Sequence, residues 1–432
     1  MSFTIGIRRE DKNEWEKRVP LVPNHIKELK EKYGIHTIVQ TSPIRTFKDE
    51  EYERNGATVQ EDISSCPIIF AVKEIPIHFL KENKTYVFFA HVIKGQKYNM
   101  PMLRKMIELK CNLIDYERII DEKNRRLVFF GHYAGLAGMI DTLWTFGQRM
   151  RWKGLDTPFN EIKRALQYKD LNDAKEHLKI VGKKIANHGL PAQITPLVVG
   201  CAGYGNVSKG AQEILDILPI KEVRPKQLGA VFSHPSNRVV YKAVFKEEDI
   251  VEPVSSEHIF DLQDYYDNPH LYRSIFQRYI HQLSILMNCI YWDKRYPRLI
   301  TKKLLEVNYT GVQQLQVVGD ISVDINGAIE FTEKATEPGN PVFIYNPVRD
   351  DIIDGTEGEG VAVMAVDTLP CELPKESSQE FSDSLMPFVP SIAKADYSTD
   401  FNILDIPPEI KKAMILYHGK LTPDYEYINR FL

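Results

Sequence analysis

Leu197-Val-Val-Gly-Cys-Ala-Gly-Tyr-Gly-Asn-Val-Ser-Lys-Gly-Ala211 is the stretch that decides the fold. An apolar strand runs into Gly203-Tyr-Gly205-Asn-Val-Ser208. Val207, Ala211, Ile214, Leu215 and Leu218 then recur at helical spacing. Strand, glycine turn and helix N-terminus together form the cradle of a dinucleotide pyrophosphate. Gly203 permits the tight turn, Gly205 lets backbone approach phosphate, and the helix start supplies N–H groups and a positive dipole end. Ser208 stands where a third glycine is usual. Gly203, Tyr204, Gly205, Asn206 and Val207 are the candidate cofactor contacts. An ordinary glycine-rich βα turn shares the pattern; the strand–turn–helix context raises it to a nucleotide site.

The long stretch before Leu197 is enough for a second domain. The chain has 432 residues, 43% of them hydrophobic, with a formal net charge of −4, which suits two or three units with sizeable cores. Lys and Arg are interspersed with Asp and Glu, which argues against a nucleic-acid partner. Cys66, Cys111, Cys201, Cys289 and Cys371 are scattered and odd in number, a pattern of reduced thiols with neither a disulfide frame nor a metal site. No apolar run reaches the ~18 residues of a membrane span. Phe3-Thr-Ile-Gly-Ile7 reads as a strand from the start, so no leader is expected and the cytoplasm is the expected location.

Residues 1–130 alternate short apolar runs with helical patterns, as βαβ units do. Pro23 starts a helix with Ile26, Leu29 and Tyr33 on one face and Gly34 as its stop. Strands follow at Ile35–Gln40, Pro67–Val72, Thr85–Ala90, Cys111–Asp115 and Leu127–Phe130. A helix from about Ala134 to Trp152 leads to the second unit, and another covers 170–188. The expected division is a discontinuous first domain of 1–140 and 341–432, with Gly360–Val366 as a strand of its returning part. The dinucleotide domain is then 141–340, with an insertion around 251–285.

Two apolar strands end in titratable residues, Val72 before Lys73-Glu74 and Ala90 before His91. Ligands of open parallel sheets bind beyond the carboxyl ends of the strands. Lys73 and His91 therefore stand side by side if their strands are neighbours, and together they cover the proton transfers of carbonyl–amine chemistry. A solvated lysine and a structural histidine are the blander alternatives. Arg18, following Lys12 and Glu16, offers a fork for a carboxylate, as does Arg126 before Leu127. Asp320-Ile-Ser-Val-Asp324 follows the strand Leu315–Val318 and is expected near the nicotinamide end of the cofactor. For cofactor choice, Ile220–Val223 is taken as the strand beside the glycine turn. Arg224 and Lys226 then face a ribose 2′-phosphate, against Glu222, and NADP is expected.

Taken in order, these residues resemble the lysine–2-oxoglutarate reductase (saccharopine-forming) domain of bifunctional aminoadipic semialdehyde synthase, related to saccharopine dehydrogenases and, more distantly, alanine dehydrogenase. The markers span nearly the whole chain: Ile5–Glu10, Arg18 with Pro20-Leu21, Val72-Lys-Glu74, Phe89-Ala-His91, Gly131–Gly135 with Ala137–Met139, Gly203–Ala211, Asn288–Trp292, Asp320–Ser322, Ile329–Phe331 and Asp367–Pro370.

The resemblance implies an α/β fold of two Rossmann-like domains flanking a cleft, alanine dehydrogenase/transhydrogenase-like. It implies Lys73 and His91 as the acid–base pair and Lys12, Arg18, Glu74, Lys94, Glu117 and Arg126 as substrate-binding residues. Asn288, Tyr291, Asp320 and Asp324 join the cofactor contacts, and no metal is implied. The implied partners are lysine, 2-oxoglutarate and saccharopine. Because the chain stops at Leu432, only the first step is expected of it, with a separate saccharopine dehydrogenase as pathway neighbour. Two alternatives stay open: an alanine-dehydrogenase-like enzyme, and an NADP(H) sensor without turnover.

Overall fold

The computed structural model describes residues 3–309 and 315–432. The chain forms two units, Met1–Phe130 with Pro374–Leu432, and Gly131–Leu373.

In the first unit β1 (Phe3–Ile7), β2 (Ile35–Gln40) and β3 (Thr58–Gln60) step outward one way. From β1 the other way run β4 (Ile68–Phe70), β5 (Thr85–Phe88) and β6 (Asn112–Asp115). All six are parallel, in the order 3-2-1-4-5-6. The winding reverses between β1 and β4, and a sheet of this kind leaves a ligand crevice at that point. Beyond β6 the hairpin Met414–Tyr417/Lys420–Leu421 adds two antiparallel strands. The helix α1 (Pro23–Tyr33) forms as expected, with Pro at its start and Gly34 in the left-handed region at φ +66°. Ile26 and Leu29 are buried on its inner face, each contributing about 1.5–3 kcal/mol of burial.

The second unit holds α2 (Gly131–Trp152), α3 (Leu171–His188), β7 (Leu197–Ala202) and α4 (Asn206–Leu215). Its further strands are β8 (Ile220–Glu222), β9 (Val240–Phe245), β10 (Val251–Pro253), β11 (Tyr272–Ser274), β12 (Ile285–Asn288), β13 (Val317–Asp320), β14 (Val342–Asn346), β15 (Asp351–Asp354) and β16 (Val361–Met364). The main sheet runs β8-β9-β7-β12-β13-β16-β14-β15 and is parallel from β8 to β16. The 251–285 segment carries the separate antiparallel pair β10–β11 and short helical turns.

Three expectations are corrected. The Gly360–Val366 run is a strand, β16, but it pairs with β13 in the second sheet, so the chain returns to the first unit only at Pro374. The earlier boundary lies at Gly131, because all of α2 packs within the second unit. Leu127–Phe130 is no strand; only an isolated bridge from Ile120 to Arg126 precedes it.

Packing of α2 on α4 explains the glycines of the Gly131–Gly138 marker. A Cβ on Gly135 would stand 1.9 Å from the Val207 carbonyl oxygen, and one on Gly210 2.1 Å from that of His132. Backbone meets backbone at both points, which only glycine allows. No helix among the described residues is long and apolar enough to cross a membrane.

Candidate functional site

The first cluster sits at the carboxyl rim of β4 and β5. These neighbours run in register with Phe70 level with Val87, so the residues beyond each strand emerge together. Glu74 and His91 meet there, with Nδ1 of His91 2.7 Å from Oε1 of Glu74. An ionised carboxylate only accepts, so Nδ1–H donates and Nε2 is the ring nitrogen left to exchange a proton. The other carboxylate oxygen of Glu74 accepts from Lys12 Nζ at 2.9 Å. Burial works against the charge on Glu74. The hydrogen bond and charge of His91, with the Lys12 ammonium, outweigh it and hold the carboxyl well below the usual range. His91 adopts φ +48°, a left-handed conformation costly for a side-chain-bearing residue. The Asn99 amide secures this turn by donating to the Ala90 carbonyl at 2.9 Å and the His91 carbonyl at 3.3 Å.

Lys73 stands one residue before Glu74 and is half-buried. Desolvation lowers its ammonium pKa, and the charges of Arg18 and Lys12 push the same way against Glu16 and Glu74. Its backbone is pinned by Glu10, whose two oxygens accept from the N–H groups of Val72 (2.6 Å) and Lys73 (3.0 Å). Burial raises Glu10 to about 7, with the Glu16 charge adding to the rise. Arg18 does form a bidentate fork, but with Glu16: Nε to Oε1 at 2.7 Å and Nη2 to Oε2 at 2.6 Å. Its guanidinium also lies over the Phe130 ring, 4.2 Å from the centroid.

Arg126 and Glu117 pair with each other. Lys94 is exposed on the turn after His91. Below the rim, Asp115 is fully buried, accepts from the Glu117 N–H and is raised to about 7 by burial. Glu10 and Glu16 have structural partners at this site that sequence reading missed. Their signal was position: Glu10 closes the segment after β1, the strand beside β4, and Glu16 lies two residues before Arg18.

In the second unit β7 ends in the expected turn. Gly203 has φ +95°, and a Cβ there would lie 3.1 Å from the Cys289 carbonyl oxygen. A Cβ on Gly205, which caps α4, would meet nothing within 4 Å, so backbone there faces open space. Tyr204 and Asn206 are exposed and Val207 half-buried. A pocket of about 280 Å³ opens beside this turn, between the residues that follow β9 and those that follow β12; Tyr291 and Trp292 line it.

On the other side, β12 and β13 end level at Asn288 and Asp320. Asp320 is fully buried and accepts from Asn288 Nδ2 (2.8 Å) and Thr332 Oγ1 (2.6 Å). Burial raises it to about 6 against those two hydrogen bonds. Asn288 Oδ1 is buried with no hydrogen-bond partner among the described residues, an acceptor that a donor from a ligand would satisfy. Asp324 lies beyond β13, its carbonyl accepting from the Gly327 N–H at 2.9 Å.

Arg224 is not beside the glycine turn. The strand adjacent to β7 is β9, and β8 is the sheet edge beyond it. Glu222, the last residue of β8, is level with Lys242, which is level with Val199, three residues short of the end of β7. Arg224 therefore follows the edge strand, with β9 between that strand and β7. Position counted along the chain misled here, because β8 pairs with β9 and not with β7.

A doubly wound sheet with a glycine turn feeding a helix, and a second such sheet with a lysine, a histidine and carboxylates at adjoining strand ends, defines a two-unit α/β protein of Rossmann type. The N-terminal domain model of the alanine dehydrogenase/PNT family matches residues 6–137 and the C-terminal domain model residues 191–424; the chain belongs to this family. It is 40% identical over 444 residues to an alpha-aminoadipic semialdehyde synthase of Arabidopsis thaliana, covering 99% of this chain and 41% of the relative. It is 35% identical over 442 residues to the mitochondrial alpha-aminoadipic semialdehyde synthase of Rattus norvegicus, covering 99% of this chain and 47% of that protein. The chain thus spans less than half the length of these relatives. A solved L-alanine dehydrogenase shares the fold with a TM-score of 0.61 at 15% identity, over 99% of each chain.

Proposed function

We propose that this chain is a nicotinamide-dependent oxidoreductase of lysine metabolism that condenses L-lysine with 2-oxoglutarate and reduces the imine to saccharopine. The observation that carries the reading is the array at the rim of β4 and β5: Glu74 bonded to both His91 and Lys12, beside a half-buried Lys73. The likeness to aminoadipic semialdehyde synthases over 99% of the chain supports the same reaction.

The substrate amine reaches the site mostly as an ammonium, since a free lysine side chain has a pKa of about 10.4. His91 Nε2, with Nδ1–H held by Glu74, accepts that proton, and the freed amine adds to the keto carbon. Lys73 carries the proton to the carbonyl oxygen and later to the departing hydroxyl of the carbinolamine. Burial lowers its ammonium pKa, which makes it a readier proton donor than a solvated lysine. The nicotinamide, when bound, supplies the hydride that turns the imine into a secondary amine. Arg18, Arg126, Lys12 and Lys94 are the cations proposed for substrate carboxylates. Arg18, Arg126 and Lys12 already hold a carboxylate, so a substrate anion joins or displaces an existing pair.

The residues present fit a dinucleotide: open space at Gly205, a pocket beside the turn, and the buried Asn288 Oδ1 awaiting a donor. A cytoplasmic location completes the proposal, in keeping with five cysteines all free of disulfides.

The test follows absorbance at 340 nm with NADH or NADPH, L-lysine and 2-oxoglutarate, omitting each in turn. Oxidation that needs all three supports the proposal. Activity with ammonia and pyruvate but none with lysine overturns it in favour of an alanine-type enzyme. Cofactor binding with no turnover on either pair overturns it in favour of a sensor.

A further inference from the structure

We propose that the segment Pro423–Phe431 sets the shape of the turn after β5, with Tyr427 and Phe431 as positioning residues for His91 and Lys94. The inference rests on the roles of His91 and Lys94 given above and carries them to side chains at the far end of the first unit's sequence.

The turn needs outside support. His91 has φ +48°, and a residue with a side chain stays in that region only where its surroundings over-determine it. The Gly95 N–H donates to the Val92 carbonyl at 3.0 Å, which puts Ile93 and Lys94 at the tip of the turn. Asn99 grips its start through the Ala90 and His91 carbonyls. The tip is held from elsewhere: the Tyr427 hydroxyl donates to the Ile93 carbonyl at 2.7 Å. Phe431 completes the hold. A Cβ on Gly95, which has φ +68°, would stand 2.5 Å from the Phe431 ring, so the ring rests on bare backbone there.

The segment can hold the turn because it is itself tied down on both sides of Tyr427. Side chains three apart on a 3₁₀ helix stack in one row, and Tyr425, Ile428 and Phe431 form such a row. Tyr425 and Ile428 are buried. The Tyr425 hydroxyl donates to the Lys412 carbonyl at 2.7 Å and accepts from Arg118 Nε, in the short helical turn after β6, at 2.9 Å. At the other end Arg104 Nη2 donates to the Phe431 carbonyl at 3.2 Å. Arg104 belongs to the helix Met100–Glu108, which Asn99 opens, so the segment is joined to the turn's tip and to the helix that follows it.

Two consequences follow for the site. Glu74 fixes the His91 ring through Nδ1, while the segment fixes the backbone from which that ring projects. A loosened tip lets His91 relax toward an ordinary φ and part from Glu74, which lowers turnover. It also moves Lys94, a cation proposed for a substrate carboxylate, which weakens the hold on the keto acid.

The deciding experiment compares wild type, Tyr427→Phe, Phe431→Ala and Phe431→Tyr in the full chain. Hydrogen exchange read by mass spectrometry reports on the turn, and steady-state kinetics with lysine, 2-oxoglutarate and reduced cofactor reports on its use. In Tyr427→Phe and Phe431→Ala the peptide spanning 91–99 is expected to exchange about 2- to 12-fold faster, the factor that one lost hydrogen bond gives, while β2 is unchanged. In the same two variants kcat is expected to fall about 3- to 10-fold and KM for 2-oxoglutarate to rise, with KM for the cofactor unchanged. Phe431→Tyr keeps the ring and is expected to restore both readouts. Tyr427→Phe removes one oxygen atom, so it answers the question even if Phe431→Ala fails to fold. Unchanged exchange, or faster exchange with wild-type kcat and KM, overturns the positioning role while the lysine reading stands. Wild type that oxidises no cofactor with lysine and 2-oxoglutarate overturns the lysine reading, and faster exchange in the variants then still supports the hold of the segment on the turn.

Discussion

Glu74 and His91, seventeen residues apart in sequence, are joined by a hydrogen bond of 2.7 Å because β4 and β5 end side by side. The bond fixes which imidazole nitrogen carries a proton. Glu74→Gln replaces a carboxylate that can only accept with an amide that can also donate, so the ring is free to adopt the other tautomer. We expect kcat to fall about tenfold or more, with KM for the cofactor unchanged. Wild-type kcat in Glu74→Gln would show that the pair is ornamental.

Lys73→Met removes the second proton carrier without opening a large void. Loss of a general acid–base group costs about 10²–10⁴ in rate. Steady-state kinetics with lysine, 2-oxoglutarate and reduced cofactor measure it, and turnover within a few-fold of wild type would remove Lys73 from the mechanism.

The buried carboxyls tie stability to pH with a definite sign. Glu10 and Asp115 are each raised to about 7 by burial, whereas in the unfolded chain they ionise near ordinary carboxyl values. The folded protein therefore holds protons that the unfolded chain releases between about pH 4 and 7. The stability this contributes is present below that window and lost as pH rises through it, by up to about 1.4 kcal/mol per pH unit per group. Asp115→Asn keeps an oxygen for the Glu117 N–H and cannot ionise. Melting curves from pH 5 to 8 should be flatter for this variant; equal slopes would mean Asp115 does not titrate there.

Gly135→Ala places a methyl group on the Val207 carbonyl, where a Cβ has only 1.9 Å. Two helix backbones must then separate, at a cost of at least about 1–3 kcal/mol. Denaturant unfolding measures it, and an unperturbed midpoint would contradict the contact between α2 and α4.

Local pattern made several of these elements legible. The helix begun by Pro23 and stopped by Gly34, the buried strands β4 and β5 and the strand–turn–helix at Gly203 each carry their signal in adjacent residues. Sheet membership does not. Val361–Met364 is a run of apolar residues that would be buried equally well in either sheet, and only its pairing with β13 assigns it. Arg224 shows the same limit, since nothing around Ile220 says that β9 will lie between β8 and β7. Leu127–Phe130 is apolar for a different reason: Phe130 stacks on Phe381 at 4.4 Å and underlies Arg18, so its burial serves packing, not a strand. At the candidate site the titratable strand ends were readable, whereas Glu10 and Asn99 act through backbone contacts that leave no spacing rule behind.

The antiparallel pairing of Met414 with Ile114 sets a timetable for the ribosome. When β6 emerges, the strand that will cover its outer edge has yet to be translated, and the whole of Gly131–Leu373 comes first. An uncovered strand edge is a template for wrong partners. The nascent chain must carry the first sheet unfinished, with β6 as its open border, until residues 414–417 are made. Ribosome pausing or truncation before residue 414 would therefore harm the unit that was begun first.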